Sequence, residues 1–408
     1  MRLFISSILA FILTGCISEF DAKLPSGDAQ ILIVDGSIVA NTEATFHLSK
    51  SYSLDNSLSD SVLNAILIND ATLTLIDGNR NEILPAENIG KGQYRISIGE
   101  LNENMEYGIR IEYNGDIYES APAKPLRTPE IDSVSWKQPE KFGDVSFYIS
   151  THSDRERDAY FLWDYTEDWE VRALYHTTIF YDITDNNLKT YEEAGFPVPA
   201  PYYRCWKKVK SNKPIIGSTV SSSENKIDNK QLYRCNPEDD DRFSVKYCVT
   251  VSQKAISKEA YEYYQNKLKM NEEMGGLFTP QPSEETGNII CITDRSKRVV
   301  GYINVVKNIT QHRSGFINGI KENGQSICPG CAERNKLPQT KYDDCDCYNI
   351  SKKISGDGGY QFDQRPIFFF YESEGGNRYA DWAKRFCSDC TAKDRTTQDM
   401  PDFWENNE

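Results

Sequence analysis

Short runs in which apolar and polar residues alternate, each followed by a turn signal, restrict the fold of this chain more than any other feature. Alternation with a period of two places one face of a β-strand on a core and the other in solvent. Asp77-Gly78-Asn79 and Asn114-Gly115-Asp116 are hairpin signals between such runs. About seven short strands in roughly 100 residues predict an immunoglobulin or fibronectin-III-like β-sandwich. The runs cover residues 31–34, 45–48, 71–76, 93–98, 107–113 and 117–120.

Leu101 and Tyr107 have the spacing of a tyrosine corner, in which the Tyr hydroxyl bonds the backbone upstream. Pro122, Pro125 and Pro129 then interrupt the strand patterns and mark a boundary. We therefore predict that residues 31–127 form the sandwich. Residues 128–408 are predicted to form a larger, mostly β C-terminal domain that contains disulfides.

The second region is again rich in strand patterns and contains one helical pattern. Ser257 is a suitable N-cap, and Ala260, Tyr261, Tyr264 and Leu268 follow at helical spacing. We expect this stripe to pack on a sheet, so that at least one helix accompanies the strands. The predicted strands cover residues 132–136, 145–150, 159–165, 242–253 and 299–308.

The first sixteen residues have the organisation of a bacterial lipoprotein signal. Arg2 precedes an apolar run over 3–13, which is too short to cross a bilayer, since a spanning helix needs ~20 apolar residues. The run ends at Leu13-Thr14-Gly15-Cys16, which matches the lipobox, in which two small residues precede the lipid-accepting Cys. We predict a signal peptide over 1–15, lipidation of Cys16 and a lipidated tether over 16–30.

Composition limits the partners of the chain. A formal net charge of -15 leaves no electrostatic footprint for nucleic acid. The 24 Tyr, 18 Phe and 6 Trp residues suit a strand-rich protein that folds outside the cytoplasm.

The cysteines other than Cys16 are even in number and all lie in the second region. In an oxidising compartment they predict up to five disulfides, whose connectivity the sequence leaves open. The Cys-x-x-Cys and Cys-x-Cys spacings are also compatible with zinc knuckles or, for the first pair, a redox dithiol. No thioredoxin-like pattern surrounds them, so we expect disulfides and no metal. The candidates are Cys205, Cys235, Cys248, Cys291, Cys328, Cys331, Cys345, Cys347, Cys387 and Cys390.

The sequence lacks the motifs that carry catalysis. Its four His show no paired metal-ligand spacing, and neither a Gly-x-Ser-x-Gly elbow nor a phosphate-binding loop occurs. The acidic run at 239–241 is interpreted as a solvated loop, with a calcium site as the alternative. We therefore expect neither an enzyme nor a cofactor.

Two aromatic groups are candidates for a binding surface. Tyr160, Trp163, Tyr165 and Trp169 alternate approximately as one strand face, and a second group follows near 202–206. Aromatic planes stack on sugars and peptides, although in a Tyr-rich β protein they also form cores. We predict that at least one residue of four is exposed and binds a partner: Trp163, Trp169, Tyr203 and Trp206.

Several segments of the second region occur in an order that resembles one family. They are Trp163-Asp164-Tyr165-Thr166-Glu167-Asp168-Trp169-Glu170, Arg204-Cys205-Trp206, Ile256-Ser257-Lys258-Glu259-Ala260-Tyr261, Gly275-Gly276-Leu277-Phe278-Thr279-Pro280, Gly287-Asn288-Ile289, Gly301-Tyr302, Cys387-Ser388-Asp389-Cys390 and Pro401-Asp402-Phe403-Trp404. Over nearly the whole chain this order resembles the Bacteroidota outer-membrane lipoproteins catalogued as domain of unknown function four-two-four-nine. The resemblance implies a sandwich followed by a second β domain. It also implies a gene beside TonB-dependent transporters, but no established activity.

These expectations combine into one functional hypothesis. The chain is expected to be an outer-membrane lipoprotein at the cell surface that acts by binding within a TonB-dependent transporter or outer-membrane assembly complex. Its partners would be the membrane, through the lipid anchor, and a barrel of the starch-utilisation C type with its D-type lipoprotein. The alternative is a free-standing surface adhesin or a glycan- or peptide-binding lipoprotein.

Overall fold

Strands form wherever the first region shows an alternating run, and they dominate the rest of the chain. The structure is a computed structural model that describes residues 31–51, 66–154, 158–182, 184, 187–195, 202–222, 224–237, 241–273, 287–320, 351–354, 364–372 and 378–404. The predicted signal peptide, Cys16 and the tether lie outside these residues. No helix in the described ranges is long and apolar enough to cross a membrane.

The elements are numbered in chain order. The first region contains β1 (Leu32–Asp35), β2 (Ser37–Val39), β3 (Thr42–Lys50), β4 (Thr72–Asp77), β5 (Glu82–Pro85), β6 (Glu87–Gly90), β7 (Gln93–Ile98), β8 (Tyr107–Tyr113) and β9 (Asp116–Ser120). The middle of the chain contains β10 (Ile131–Lys137), β11 (Val145–His152), β12 (Tyr160–Arg172), β13 (Ile179–Asp182), β14 (Asn187–Thr190), β15 (Arg204–Lys210), β16 (Ile215–Ser218), β17 (Lys226–Cys235), β18 (Lys246–Ile256) and helix α1 (Lys258–Glu273). The last part contains β19 (Ile289–Cys291), β20 (Val299–Val300), β21 (Asn304–Val306), β22 (Thr310–Arg313), β23 (Ile317–Asn318), β24 (Ser351–Ile354), β25 (Gln364–Glu372), β26 (Arg378–Lys384), α2 (Arg385–Ser388), a 3-10 helix (Cys390–Ala392) and β27 (Thr396–Thr397).

The first sandwich consists of two five-stranded sheets, ordered β20-β1-β3-β7-β6 and β19-β9-β8-β4-β5. Alternate side chains of both sheets bury a core that is mostly aliphatic, as Leu48, Leu73 and Ile109 illustrate. The β8–β9 hairpin turns through Asn114 and Gly115, which have φ angles of 51° and 79°, the left-handed values that this two-residue turn requires. The immunoglobulin or fibronectin-III-like sandwich is therefore confirmed.

The tyrosine corner is also present. The Tyr107 hydroxyl accepts a hydrogen bond from the Asn102 backbone N–H at 3.0 Å, and Leu101 is buried in the same core. This bond fixes the chain where it enters β8, as the spacing of Leu101 and Tyr107 predicts.

The sandwich does not end at residue 127, and this corrects the predicted boundary. The chain returns after α1, so that β20 pairs in parallel with β1, β19 pairs with β9, and β21 pairs in parallel with β2. Ile289 and Val305 enter the aliphatic core. The predicted strand at 299–308 thus belongs mainly to the first sandwich. The boundary at residue 127 is wrong because proximity in sequence does not report pairing between distant segments.

The second sandwich packs a large sheet, ordered β22-β18-β12-β15-β27, against the smaller sheet β10-β11-β17. Its core is strongly aromatic and includes Phe147, Phe161, Trp163, Phe243 and Tyr247. Two smaller sheets, β13-β14 and β24-β26-β25, accompany it. The prediction of a second, β-rich region with a disulfide and a helix is confirmed.

Helix α1 begins where the sequence predicts. The Ser257 hydroxyl accepts a bond from the Ala260 backbone N–H at 3.1 Å, as an N-cap does. Ala260 is buried, and Tyr261 and Tyr264 pack beside it on Leu162 and Ile256 of the large sheet. The helical stripe therefore packs on a sheet, as expected.

Candidate binding site

Three of the four aromatic residues predicted to bind a partner are buried. Trp163, Trp169 and Trp206 are at most 7% exposed, so none of these three is the exposed residue that we predict among the four. Trp163 and Trp169 point into the sandwich, because the smaller sheet covers their face of β12. Tyr160 lies on the opposite face, against Tyr261 of α1, so the four residues of the first group do not share one face.

Hydrogen bonds explain how the buried indoles are tolerated. The Trp163 indole N–H donates to the Gln253 side-chain oxygen at 2.8 Å, and the Trp169 indole donates to an Asp241 carboxylate oxygen at 3.0 Å. A buried indole usually finds such a partner. These two tryptophans therefore stabilise the fold and do not offer a surface.

Tyr203 is the predicted aromatic residue that remains half-exposed. It immediately precedes β15, whose residues pair in antiparallel register with β12. In this register Glu170 lies opposite Trp206, and Arg172 lies opposite Arg204. Every second residue of a strand points to the same face of the sheet. Glu170, Arg172, Arg204 and Trp206 therefore share the outer face of the large sheet with Asp168.

A buried glutamate organises this face. Glu170 is 1% exposed; its Oε1 accepts from Arg172 Nε at 2.6 Å, and its Oε2 accepts from Arg204 Nη2 at 3.0 Å. Burial alone would raise the pKa of Glu170, but the hydrogen bonds from Arg204 and Arg172 outweigh it and the pKa lies below its ordinary value. Glu170 is therefore charged at neutral pH and holds two guanidinium groups that lie on directly opposed residues.

Tyr203 completes the cluster. The Arg172 guanidinium lies 6.0 Å from the centre of the Tyr203 ring, and the His176 ring meets that ring edge-on at 4.7 Å between centroids. Arg172 and Tyr203 are both partly exposed. We call Glu170, Arg172, Arg204, Tyr203 and His176 the Glu170 cluster. Its guanidinium and phenol groups can bind an anion or a planar polar ligand.

The C-terminal helical segment holds the backbone beneath this cluster. A disulfide joins Cys205 on β15 to Cys390, with the two Cα atoms 5.8 Å apart. The Cys390 N–H donates to the Tyr202 carbonyl at 2.8 Å, and the Tyr175 N–H donates to the Cys387 carbonyl at 3.0 Å. The chain on both sides of the cluster is thus attached to one disulfide-linked segment.

The cysteine prediction holds only in part. Cys205 and Cys390 are paired, and Cys387 is disulfide-bonded. Cys235, Cys248 and Cys291 carry thiols, so their assignment as disulfide partners is wrong. They lie in three separate apolar clusters, and a disulfide needs Cα atoms about 4.4–6.8 Å apart. The remaining candidates lie outside the described residues: Cys328, Cys331, Cys345 and Cys347.

Asp168 lies two residues before Glu170 and has a different environment. It is 2% exposed, and its Oδ1 has no hydrogen-bond partner among the described residues. Burial raises the pKa of Asp168. Cys248 lies opposite Asp168 in the sheet, and Trp206 and Trp404 pack on Cys248. The outer face therefore carries Glu170, whose carboxylate is stabilised as the anion, and Asp168, whose carboxylate is not.

The acidic run predicted as a loop or a calcium site is described only at Asp241. Its carboxylate accepts the Trp169 bond and lies 3.6 Å from Lys207 Nζ. Within the described ranges no group of three or more His, Cys, Asp or Glu side chains is arranged to hold a metal ion. Asp241 has a structural role beside Trp169.

The sequence indicated the segment of the cluster but not its chemistry. The aromatic pattern predicts Tyr203 as a site residue, whereas it does not predict Glu170, Arg172, Arg204 or His176. The alternation Asp168-x-Glu170-x-Arg172 within a strand pattern is a usable signal, since it places charges on one face. The partner strand and its register are what the sequence could not supply.

Fold and site define a protein of two β-sandwiches, the second of which presents a charged aromatic cluster next to a disulfide. A family model described as Domain of unknown function (DUF4249) matches residues 17–312, and the chain belongs to this family. The match includes every residue of the Glu170 cluster but not residues 313–408. The C-terminal segments of the resemblance therefore lie beyond the matched range. No curated protein matches the chain.

Proposed function

We propose that this protein is a lipid-anchored lipoprotein of the outer membrane that acts by binding, as an accessory of a TonB-dependent transporter or an outer-membrane assembly complex. The observation that carries the proposal is the Cys205–Cys390 disulfide, whose cysteines are 185 residues apart in sequence. Disulfides of this structural kind belong to oxidising compartments outside the cytoplasm. The lipobox at Cys16 would deliver the chain to such a compartment.

The architecture suits binding. The first sandwich begins directly after the predicted tether. Residues 287–306 add strands to the first sandwich, and the chain then returns to the second sandwich at β22. At the junction the Thr128 hydroxyl donates to the Asn308 carbonyl at 2.6 Å and accepts from the Ala255 N–H at 3.1 Å. The Glu170 cluster contains Tyr and Arg, two residue types that are enriched in the hot spots of protein interfaces.

The length of the predicted tether supports a binding partner that lies close to the membrane. Residues 17–30 would span ~20 Å on average as a flexible chain, which keeps the body within reach of a neighbouring barrel. The resemblance described above links such lipoproteins to TonB-dependent barrels of the starch-utilisation C type and their D-type partners. We therefore propose these proteins as its complex.

Affinity purification of the tagged lipoprotein from native membranes, followed by mass spectrometry, tests the proposal. We expect a TonB-dependent barrel or an assembly factor in the eluate. The variant Cys16→Ala should leave the membrane fraction and lose this partner, because the lipid is the proposed anchor. Cys235→Ala, which changes a cysteine remote from the anchor, is the matched control and should stay membrane-bound with its partner.

Recovery of the lipoprotein without any outer-membrane partner would contradict the accessory role. The Arg172–Tyr203 contact would then favour the second candidate, a glycan- or peptide-binding lipoprotein or adhesin that acts alone. Retention of Cys16→Ala in membranes after a high-salt wash would contradict the lipid anchor itself.

A further inference from the structure

The Arg172 side chain is oriented by a buried partner while remaining partly exposed. Its Nε is bound to Glu170 Oε1 at 2.6 Å, and its side chain is 36% exposed whereas that of Glu170 is 1% exposed. A guanidinium carries five N–H donors. The contact with Glu170 uses the one on Nε, and Arg172 also makes a side-chain hydrogen bond with Tyr203. The terminal nitrogens of Arg172 are thus placed by a rigid anchor at the protein surface.

A similar cluster in the first sandwich shows what a purely structural arrangement looks like. There Glu119 is 3% exposed and pairs with Arg80 and Arg110, at 3.2 Å and 2.8 Å. Arg110 also pairs with a second carboxylate, Glu82, at 3.1 Å. The four charges of that cluster cancel.

The ion pairs of the Glu170 cluster are arranged differently. Glu170 pairs with both Arg172 and Arg204, and it is the carboxylate that pairs with Arg172 among the described residues. β15 adds Lys208 and Lys210 on the face of Arg204, whereas Lys207 lies on the other face and pairs with Asp241 at 3.6 Å. The pairing of β15 with β27 ends at Lys207, and an open sheet edge often carries lysine to prevent aggregation. This accounts for the lysines that follow but not for an arginine anchored by a buried glutamate.

Tyr203 supplies a flat surface next to this charge. Its ring is half-exposed, with the Arg172 guanidinium 6.0 Å from the ring centre and His176 on its edge. An aromatic face beside a guanidinium suits a ligand that carries a carboxylate next to an apolar or sugar face. A planar carboxylate matches the two parallel N–H bonds that a guanidinium can donate.

We propose that Arg172 and Tyr203, held by Glu170, form a binding site for a carboxylate-bearing ligand. The guanidinium of Arg172 binds the carboxylate, and the ring of Tyr203 packs against the adjacent part of the ligand. The site needs no transporter partner, so its success or failure is independent of the accessory role proposed above.

Equilibrium titration of the full lipoprotein in detergent tests this site. The probes are tri-galacturonate and tri-glutamate, compared with neutral trigalactose and tri-glutamine. We expect at least one carboxylate probe to bind about tenfold or more tightly than its neutral counterpart, with an affinity that falls as salt is raised. The two carboxylate probes distinguish an acidic sugar from an acidic peptide as the source.

Two substitutions assign the binding to the named residues. R172Q should weaken the carboxylate probe about tenfold or more, and Tyr203→Leu should weaken it several-fold with the ion pairs intact. Arg80→Gln is the matched control, because it removes an arginine from the comparable cluster in the first sandwich and should leave the affinity unchanged. If R172Q fails to fold, the double variant E170Q/R172Q removes the buried charge together with its partner and should show the same loss.

Three results would overturn the proposal. The first is equal affinity for the carboxylate probes and their neutral counterparts. The second is wild-type affinity in a folded R172Q or E170Q/R172Q protein, which would leave Arg172 with a structural role alone. The third is an equal loss in Arg80→Gln, which would show that the effect is not local to the site.

Discussion

The two sandwiches each bury a glutamate between two arginines, yet their cores are made of different chemistry. The first core is mostly Leu, Ile and Val, and its buried glutamate, Glu119 on β9, pairs with Arg80 and Arg110. The second core is aromatic and contains an internal polar network: Tyr233 and Tyr247 share a hydrogen bond at 2.6 Å, and Tyr247 donates to the buried Glu167 at 2.7 Å. An aliphatic core is stabilised by buried area, whereas a polar network also requires that every hydrogen bond be made.

Trp163→Ala should have the largest effect, because it opens a cavity in the second core and removes the donor to Gln253. We expect a loss of about 3–5 kcal/mol in the free energy of unfolding, measured by urea denaturation. Trp136→Ala is the control, since Trp136 is 38% exposed on β10, and its cost should be below about 1 kcal/mol. Equal losses would show that the second core does not depend on this indole.

Reduction of the Cys205–Cys390 disulfide should come next and should separate the two sandwiches. Loss of a native disulfide typically costs about 2–5 kcal/mol. Hydrogen exchange should therefore accelerate in β12 and β15 and remain slow in β3 and β8 of the first sandwich. The control is Cys205→Ser/Cys390→Ser without reductant, which removes this bond alone, because reduction of the wild type also opens the disulfide of Cys387. Uniform acceleration throughout the chain would mean that the two sandwiches unfold as a single unit.

Removing a single tyrosine hydroxyl from each sandwich sharpens the contrast. Tyr247→Phe leaves the buried Glu167 without one donor and should cost about 1–3 kcal/mol. Tyr107→Phe removes the corner bond to Asn102 and should cost about 1 kcal/mol. Thermal and urea unfolding of the two variants provide the comparison. A larger cost for Tyr107→Phe would reverse the order that the network argument gives.

The smallest effects concern two aspartates whose pKa values shift in opposite directions. Burial raises the pKa of Asp168 in the folded state. Asp168 therefore destabilises the folded protein as pH rises from its pKa in the unfolded chain through its pKa in the folded protein. Asp168→Asn should therefore raise the melting temperature at pH 7 and lose this advantage near pH 3. Asp77, at the end of β4, has a pKa lowered by the side-chain hydrogen bond from Asn81. Asp77→Asn should lower the melting temperature at pH 7, and this loss should vanish as pH falls. If the melting temperatures of Asp168→Asn and Asp77→Asn change with pH in the same direction relative to the wild type, the opposite pKa shifts of the two aspartates are contradicted.

The sequence was most informative where a local pattern decides the structure. Period-two alternation located β7 and β8, the Asn114-Gly115 pair located their neighbouring hairpin, and the Ser257 N-cap located the start of α1. It was uninformative where distant segments meet. Nothing near Ile289 or Val299 indicates that these residues complete the first sandwich.

The candidate site shows the same limit. Periodicity assigns Trp163 and Trp169 to one face of β12, but only the second sheet decides that this face is buried. The Glu170 cluster depends on the register that places Arg172 opposite Arg204, which no local pattern encodes. Burial and cross-strand register are properties of the assembled sheets.

The return of residues 287–306 to the first sandwich has a consequence for biosynthesis. Ile117 on β9 bonds the Thr293 hydroxyl 176 residues further along the chain. At ordinary elongation rates the nascent chain would wait about 10–30 s between making these two segments. The first segment is likewise available for folding before the second, and until the second joins it the β1 and β9 edges lie uncapped. An uncapped edge is a template for intermolecular pairing. The sandwich that is synthesised first is therefore among the last parts to be finished, and a holding chaperone would be most useful to it during this interval.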